Sequence, residues 1–210
     1  ARLRVRPRCH VHPDTPTFHR GGLCPITAPA APAGGDLHTA YSCPMTGPTG
    51  DAPTEPPSEG EQRALAAVRA SGIRYAVTRH GRVRSLAEAA ALRGVAPGDI
   101  VKTLVVRRAD EDFLFVLVPG DRELSWPKLR ATLGTSRLSM PDAEGAREAT
   151  GYERGTITPF GASTAWPVLA DRGVAGRTVS LGAGAHGVAI TVDGDDLVRV
   201  LGATLLDLCD

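Results

Sequence analysis

Lys102 is the first residue whose type and position suggest chemistry. It interrupts the apolar run Val101–Val105, where an ammonium group loses hydration unless it finds a partner or reaches water. Arginine is the usual cation of this chain, which has only two lysines, so a lysine here suggests that a compact, flexible ammonium is required. The alternative is an edge position from which the side chain simply extends into water.

A glycine-rich loop, Gly151–Ala165, is the second candidate. It shows no helical or strand periodicity, and a loop of this length in a compact domain tends to be functional. Gly151, Gly155 and Gly161 permit close approach of the backbone, and Pro159 stiffens the end of the loop. Its backbone N–H groups could stabilise an oxyanion formed during acyl transfer, although the composition is equally compatible with a plain surface loop.

Other polar positions give weaker signals. Asp171 ends an apolar run, where a carboxylate usually caps the next turn. The segment Gly182–Gly187 has GxGxxG spacing, but a strand follows it, so we do not predict a nucleotide-binding fingerprint. Neither His80 nor His186 has an evident serine or cysteine nucleophile beside it, and Cys209 lies next to the terminus.

Residues 1–57 differ in composition from the rest of the chain. They contain most of the 17 prolines and have no apolar periodicity, which predicts a disordered tail. Their three cysteines and four histidines lack the close pairs of a zinc site, so we predict no metal and no cofactor.

The Arg-, Ala- and Gly-rich composition indicates GC-rich coding. A polar leader follows Met45, so we expect translation to start at Met45 and residues 1–44 to be upstream read-through.

Residues 58–210 are predicted to form one domain, since this length can bury a single core. From residue 59 onward the chain has 19 basic and 19 acidic residues. This balance argues against tracking a long phosphate backbone and is compatible with binding a small piece of nucleic acid. No apolar run approaches the length of a membrane span. Cys209 is the only cysteine here, which fits a reducing cytoplasm.

The elements that must position these residues follow from capping signals and apolar periodicity. We predict helices at 58–71, 85–94, 125–134, 142–150 and 193–201. We predict strands at 73–79, 100–106, 112–118, 137–140, 167–171, 177–181, 187–192 and 204–208. Helices and strands do not alternate regularly, so we expect a mixed α/β (α+β) fold with a curled, largely antiparallel mixed sheet packed with helices.

Six segments occur in one order along the chain: Lys102–Val106, Val118–Arg122, Thr150–Tyr152, Gly155–Gly161, Asp171 and Gly184–Gly187. This ordered set resembles the YbaK/EbsC/ProX family, the free-standing relatives of the editing domain inserted in bacterial prolyl-tRNA synthetase. The resemblance covers about residues 60–208. No single segment is decisive, but the ordered set is highly specific.

The resemblance implies a trans-editing hydrolase that deacylates mischarged aminoacyl-tRNA, Cys-tRNA(Pro) or Ala-tRNA(Pro), by substrate-assisted hydrolysis without metal or protein nucleophile. Lys102 matches the essential lysine of the family and would bind the terminal phosphate or the aminoacyl group. Gly155 begins the matching Gly-x-x-x-Pro loop and would serve the oxyanion. The other expected substrate-binding residues are Thr78, His80, Thr156, Ile157, Thr158, Pro159, Phe160, Gly161, Asp171, Gly184 and His186.

The expected partners are the acceptor end of tRNA with its amino acid and prolyl-tRNA synthetase, with no membrane and no DNA. Thr78 stands where members that deacylate Cys-tRNA(Pro) often have tyrosine, which weakens cysteine as the substrate. His80 is compatible with the pocket entrance and equally with a plain surface position.

A non-catalytic module that binds the tRNA 3′ end or a nucleotide is the second functional class. A Lys102→Ala variant discriminates between them, because only an enzyme loses turnover while binding is kept.

Overall fold

A seven-stranded mixed sheet runs through residues 56–210, the part of the chain that the computed structural model describes. The strands are β1 (Tyr75–Arg79), β2 (Ile100–Ala109), β3 (Asp112–Pro119), β4 (Val168–Asp171), β5 (Thr178–Gly182), β6 (Val188–Asp193) and β7 (Thr204–Leu206). The helices are α1 (Glu59–Ala70), α2 (Leu86–Arg93), α3 (Trp126–Leu133), α4 (Ala143–Thr150) and α5 (Gly194–Val200). No helix in this range is both long and apolar enough to cross a membrane. The predictions for residues 1–55 lie outside the described residues.

The helices begin where short polar side chains predict them. The Ser58 hydroxyl accepts a hydrogen bond from the Glu61 amide at 3.2 Å, and Ser85 caps α2 in the same way. Such caps satisfy amide groups that have no partner in the first helical turn. Ser125 precedes α3 as predicted, but its side chain makes no capping bond. Gly94 ends α2 in the left-handed conformation at φ 67°.

The strands lie in the order β1-β6-β5-β2-β3-β4-β7. Three pairings are antiparallel (β1 with β6, β6 with β5, β2 with β3), and three are parallel (β5 with β2, β3 with β4, β4 with β7). The antiparallel ladders are the longer ones, so the predicted fold class is confirmed. The predicted strand at 137–140 is wrong: a single bridge joins Ser139 to Arg107, and Pro141 has no amide hydrogen with which to extend a ladder.

The two faces of the sheet are covered differently. One face packs against α1, α5 and the loop that follows α4, and it holds the largest group of buried apolar side chains. The other face holds two separate groups: Val106 and Val116 pack with Leu129 of α3, whereas Ile100 packs with Ala89 of α2. We call this second side the divided face.

Candidate functional site

A row of small side chains crosses the divided face and ends at Lys102. Thr78 of β1 is in register with Ala189 of β6, which is in register with Gly182 of β5. The parallel register of β2 and β5 pairs Ile100 with Ser180 and Val101 with Leu181, and its continuation by one residue sets Lys102 opposite Gly182. Because successive side chains point to opposite faces of a strand, these four positions share the divided face. The other three residues of the row, Thr78, Ala189 and Gly182, all have small side chains.

Lys102 lies between the two apolar groups of the divided face. Ile100, two residues earlier, packs with α2, and Leu104, two residues later, packs with α3. Lys102 is half-buried, and its ammonium donates a hydrogen bond to the Arg122 carbonyl oxygen at 2.5 Å. Within residues 56–210, no carboxylate oxygen lies within 4.0 Å of this ammonium. Its charge is therefore available to an anionic ligand.

Asp171 is a buried anchor that is linked to Lys102 through Arg122, whose carbonyl oxygen accepts from Lys102 and whose side chain approaches Asp171. Its side chain is 1% exposed and accepts hydrogen bonds from the amides of Gly173, Leu208 and Cys209 at 2.9, 3.0 and 3.1 Å. Arg122 approaches the same carboxylate at 3.4 Å. Burial alone raises the pKa of Asp171, but the hydrogen bonds from these three residues and the charge of Arg122 outweigh burial, so the pKa lies below its ordinary value.

The expectation that Asp171 contacts the substrate is therefore corrected: both of its oxygens are occupied by the protein, and it holds β4 to the C-terminal segment. Cys209, buried beside it, is excluded as a nucleophile at neutral pH. Burial, and then the neighbouring Asp171, raise the pKa of the Cys209 thiol to about 12, and only a thiolate is strongly nucleophilic.

The loop after α4 is fixed at both ends. The Tyr152 hydroxyl donates to the Phe160 carbonyl oxygen at 2.7 Å and closes the loop on itself. Arg63 of α1 donates to the carbonyl oxygens of Gly151 and Gly161, at 2.7 and 3.3 Å, and stacks over the Tyr152 ring. Burial raises the pKa of Tyr152, although Arg63 partly opposes this shift. The loop is thus a preorganised part of the site.

The side chains of the predicted binding loop divide into buried and accessible ones. Thr156, Thr158 and Phe160 are at most 5% exposed, so they support the loop from inside. Gly155 is exposed, and Ile157 and Pro159 are half-buried. A ligand would therefore meet Gly155, Ile157, Pro159 and the backbone of the loop.

Gly182 connects the loop to Lys102. A Cβ built on Gly182 would lie 3.7 Å from the carbonyl oxygens of Thr156 and Ile157. The Thr156 carbonyl oxygen also accepts a hydrogen bond from the Gly184 amide at 3.1 Å. Gly184 itself packs closely against Gly60, since a Cβ there would overlap the Gly60 carbonyl oxygen. Lys102 of β2 and the start of the loop therefore both lie near Gly182, at the C-terminal end of β5.

A second group of predicted residues lines a depression of about 630 Å³ beside the loop. His80 donates its backbone amide to the Gly187 carbonyl oxygen at 2.8 Å. Gly155 has a φ of 92°, and a Cβ there would lie 3.3 Å from the Cε1 atom of His186. The depression is lined by His80, Gly81, Arg82, Val83, Arg93, Gly155, His186 and Gly187. We refer to it as the cationic depression.

Several residues that shape the candidate site gave no signal in the sequence or had no role assigned from it. Arg63, which holds both ends of the loop, and Arg93, which lines the depression, gave no sequence signal, because surface arginines on helices are common. Tyr152 and Arg122 fell within matched segments but had no assigned role. Their functions depend on contacts with residues distant in the sequence.

Neither histidine activates a protein nucleophile. His80 contacts the Gly81 carbonyl oxygen and Arg93, and His186 lies 3.8 Å from Glu153. In residues 56–210, no group of three or more His, Cys, Asp or Glu side chains is placed to hold a metal ion. The available elements are an ammonium, a preorganised backbone loop and a cationic depression. Such elements are suited to positioning an anionic, ester-bearing ligand and to stabilising developing negative charge.

The family comparison agrees with this class of site. The chain belongs to the aminoacyl-tRNA editing domain family, whose model matches residues 80–200. This confirms the family predicted from the ordered segments.

The similar proteins include proline–tRNA ligases and a solved trans-editing structure. A proline–tRNA ligase of Thermosipho africanus is 40% identical over 92 residues, which are 44% of this chain and 16% of the ligase. A proline–tRNA ligase of Kosmotoga olearia is 34% identical over 117 residues, which are 56% of this chain and 18% of the ligase. The chain thus spans less than a fifth of these relatives. A crystal structure of a candidate trans-editing enzyme for prolyl tRNA synthetase superposes with a TM-score of 0.67 at 26% identity, over 74% of this chain and 99% of that one.

Proposed function

We propose that this domain hydrolyses the ester bond between a non-cognate amino acid and the 3′-terminal ribose of tRNA(Pro). The observation that carries the proposal is the Lys102 ammonium. It has no carboxylate partner in the described residues, and it lies beside Gly182, against which the loop packs. A cation and a backbone loop that meet at one strand end suit an ester whose carbonyl oxygen becomes negative during reaction.

The proposed reaction needs no protein nucleophile. A water molecule, oriented by a ribose hydroxyl of the substrate, adds to the acyl carbon and gives a tetrahedral oxyanion. The Gly155 amide stabilises that oxyanion, since the Thr156 amide already donates to the Glu153 carbonyl oxygen, and Lys102 binds the aminoacyl group or the terminal phosphate. The intermediate collapses with cleavage of the bond between the acyl carbon and the ribose oxygen, which takes up a proton. Because aminoacyl esters are already reactive, positioning and charge stabilisation suffice.

We further propose alanine as the removed amino acid, with cysteine as the alternative. Thr78 occupies the position where members acting on cysteine often have tyrosine, and it lies in the row that leads to Lys102. A hydrophobic pocket discriminates by only about 1–3 kcal/mol per methylene. Selection between the alanine and cysteine side chains therefore depends on the size and shape of the residues in the row from Thr78 to Lys102.

The proposed partners are the tRNA acceptor end and prolyl-tRNA synthetase. The resemblance to domains of proline–tRNA ligases supports the choice of tRNA(Pro). The balanced charge of the domain supports help from a synthetase, because a neutral protein has little electrostatic affinity for a whole tRNA. Such a substrate would place the activity in the cytoplasm.

The test is deacylation of tRNA(Pro) charged with alanine, cysteine, serine or proline by the full chain. We expect release of alanine or cysteine but not of proline, and a loss of about 10²–10³-fold in rate for Lys102→Ala, as for removal of an oxyanion-stabilising group. Arg108→Ala, at the far end of the same strand, is the matched control and should retain activity within about twofold. Binding of every charged tRNA without release of any amino acid would instead establish the non-catalytic module.

A further inference from the structure

Arg93, the last residue of α2, has an unusual environment for an arginine. It is half-buried in the lining of the cationic depression, and this burial lowers its pKa from the ordinary value. Its Nε atom donates to the Nε2 atom of His80 at 3.2 Å. Within residues 56–210, no carboxylate oxygen lies within 4.0 Å of its guanidinium group. An arginine that is partly desolvated without a counter-ion is energetically poor unless a ligand supplies the negative charge.

His80 holds this arginine in one orientation. The Nδ1 atom of His80 lies 2.8 Å from the Gly81 carbonyl oxygen, which can only accept a hydrogen bond. Nδ1 therefore bears the proton in the neutral ring, and Nε2 offers its lone pair to Arg93. This contact uses only Nε of the guanidinium. The two terminal nitrogens of Arg93 make no hydrogen bond with any described residue.

The rest of the depression suits an anion. Four of its lining residues are basic or histidine, and none is acidic. A guanidinium with two parallel free N–H donors matches the geometry of a phosphate group and binds it in bidentate fashion. The depression borders Gly155 and His186, so its ligand would lie beside the loop of the proposed ester site.

We propose that Arg93, oriented by His80, binds an internucleotide phosphate in the single-stranded 3′ end of the tRNA substrate. This inference rests on the proposed function in naming tRNA as the ligand. It assigns the phosphate to Arg93 and leaves Lys102 to the aminoacyl group. The two cations then act on different parts of one substrate.

The test compares a ligand that has phosphates with one that has none. The probes are the RNA trinucleotide CCA and free adenosine, and binding to the full chain is measured by calorimetry. We expect Arg93→Ala to weaken CCA about tenfold, which corresponds to one lost charge-assisted hydrogen-bond pair on a half-exposed group. Adenosine affinity should stay the same. The slope of log Kd against log salt concentration should fall by about 0.7, the value for one phosphate contact on a single strand.

Three further variants refine the result. Arg69→Ala, an exposed arginine at the end of α1, is the matched control for loss of one positive charge and should leave CCA binding unchanged. Arg93→Lys keeps the charge without the fork, so we expect CCA affinity between those of the wild type and Arg93→Ala. His80→Gln can still accept from Arg93 and should restore the CCA affinity that His80→Ala loses, which identifies His80 as a positioning residue.

An unchanged CCA affinity and salt slope in Arg93→Ala would overturn the inference. So would an equal loss of adenosine and CCA binding, which would show that Arg93 only shapes the depression. Displacement of CCA by equimolar inorganic phosphate would reassign the site to a free anion. CCA contains no aminoacyl ester, so Arg93-dependent CCA binding in a protein that deacylates no tRNA would refute the proposed activity without touching this inference.

Discussion

Two regions of similar size carry opposite charge in this domain. The cationic depression measures about 630 Å³ and has no acidic residue in its lining. A second pocket, of about 560 Å³, lies by the turn between β2 and β3, and we call it the acidic pocket. It is lined by Arg107, Asp110, Glu111, Phe113, Met140, Pro141, Asp142, Gly145, Glu148, Ala149, Thr164 and Trp166. The equal numbers of basic and acidic residues therefore hide a separation of charge.

The two regions also differ in how they are held. Around the cationic depression and Lys102, backbone groups, buried side chains and left-handed glycines fix the geometry. The carboxylates of the acidic pocket are exposed, and Met140 is 48% exposed beside the edge-to-face pair of Phe113 and Trp166. A preorganised cationic surface favours an RNA ligand, whereas an acidic surface disfavours one. Net charge alone is therefore a poor guide to where RNA binds.

The largest expected effect concerns Asp171, the buried carboxylate that holds β4 to the C-terminal segment. Asp171→Asn should lower the free energy of unfolding by about 3 kcal/mol at pH 7, because it leaves buried amides and Arg122 without their anion. Since folding lowers the pKa of Asp171, its stabilisation is present above the unfolded pKa near 3.8 and is lost as pH falls further. Urea unfolding of both proteins between pH 7 and pH 3 measures this difference.

Asp207→Asn is the control for Asp171, because Asp207 pairs with Lys128 at the surface and is 61% exposed. It should change stability by less than about 0.5 kcal/mol. An equal loss in both variants would show that Asp171 is no special anchor.

An intermediate effect is expected at the rim of the cationic depression. Gly155→Ala places a side chain at φ 92° and against His186, which should cost about 1–2 kcal/mol and reduce deacylation about tenfold by moving the loop. Gly176→Ala has similar backbone strain at φ 72° but open space around the Cβ. It should lose comparable stability, measured by thermal unfolding, and keep full activity. Equal activity in the two variants would remove Gly155 from the site.

The smallest effect is expected at the acidic pocket. Glu148→Gln removes one exposed charge there, so we expect stability within about 0.5 kcal/mol of the wild type and a deacylation rate within about twofold. Kinetics with charged tRNA(Pro) at low salt are the most sensitive measurement, because low salt magnifies surface charge effects. A tenfold loss of activity would show that substrate or a helper protein contacts the acidic pocket, and the contrast between the two regions would fail.

Local chemistry made much of the fold predictable. Ser58 and Ser85 begin helices, and the charged turn between two apolar runs produces the β2–β3 hairpin, because these signals depend on residues within a few positions of one another. The strand predicted around Ser139 failed because a ladder needs a partner strand, which the sequence pattern does not reveal. Asp171 caps the turn after β4, as its position in the sequence favoured. Its further hydrogen bonds to Leu208 and Cys209 were not predictable, because these partners lie more than 35 residues away.

By itself, the sequence determined the family and most of the elements, and it predicted Lys102 and the Gly155–Pro159 loop as the central candidates for the site. Only the tertiary structure decided that both border Gly182, that Lys102 emerges between two apolar groups, and that Arg93 is oriented by His80. The physical reason is range. Capping and periodicity act over one or two turns, whereas strand register, desolvation and charge pairing depend on which distant residues folding brings together.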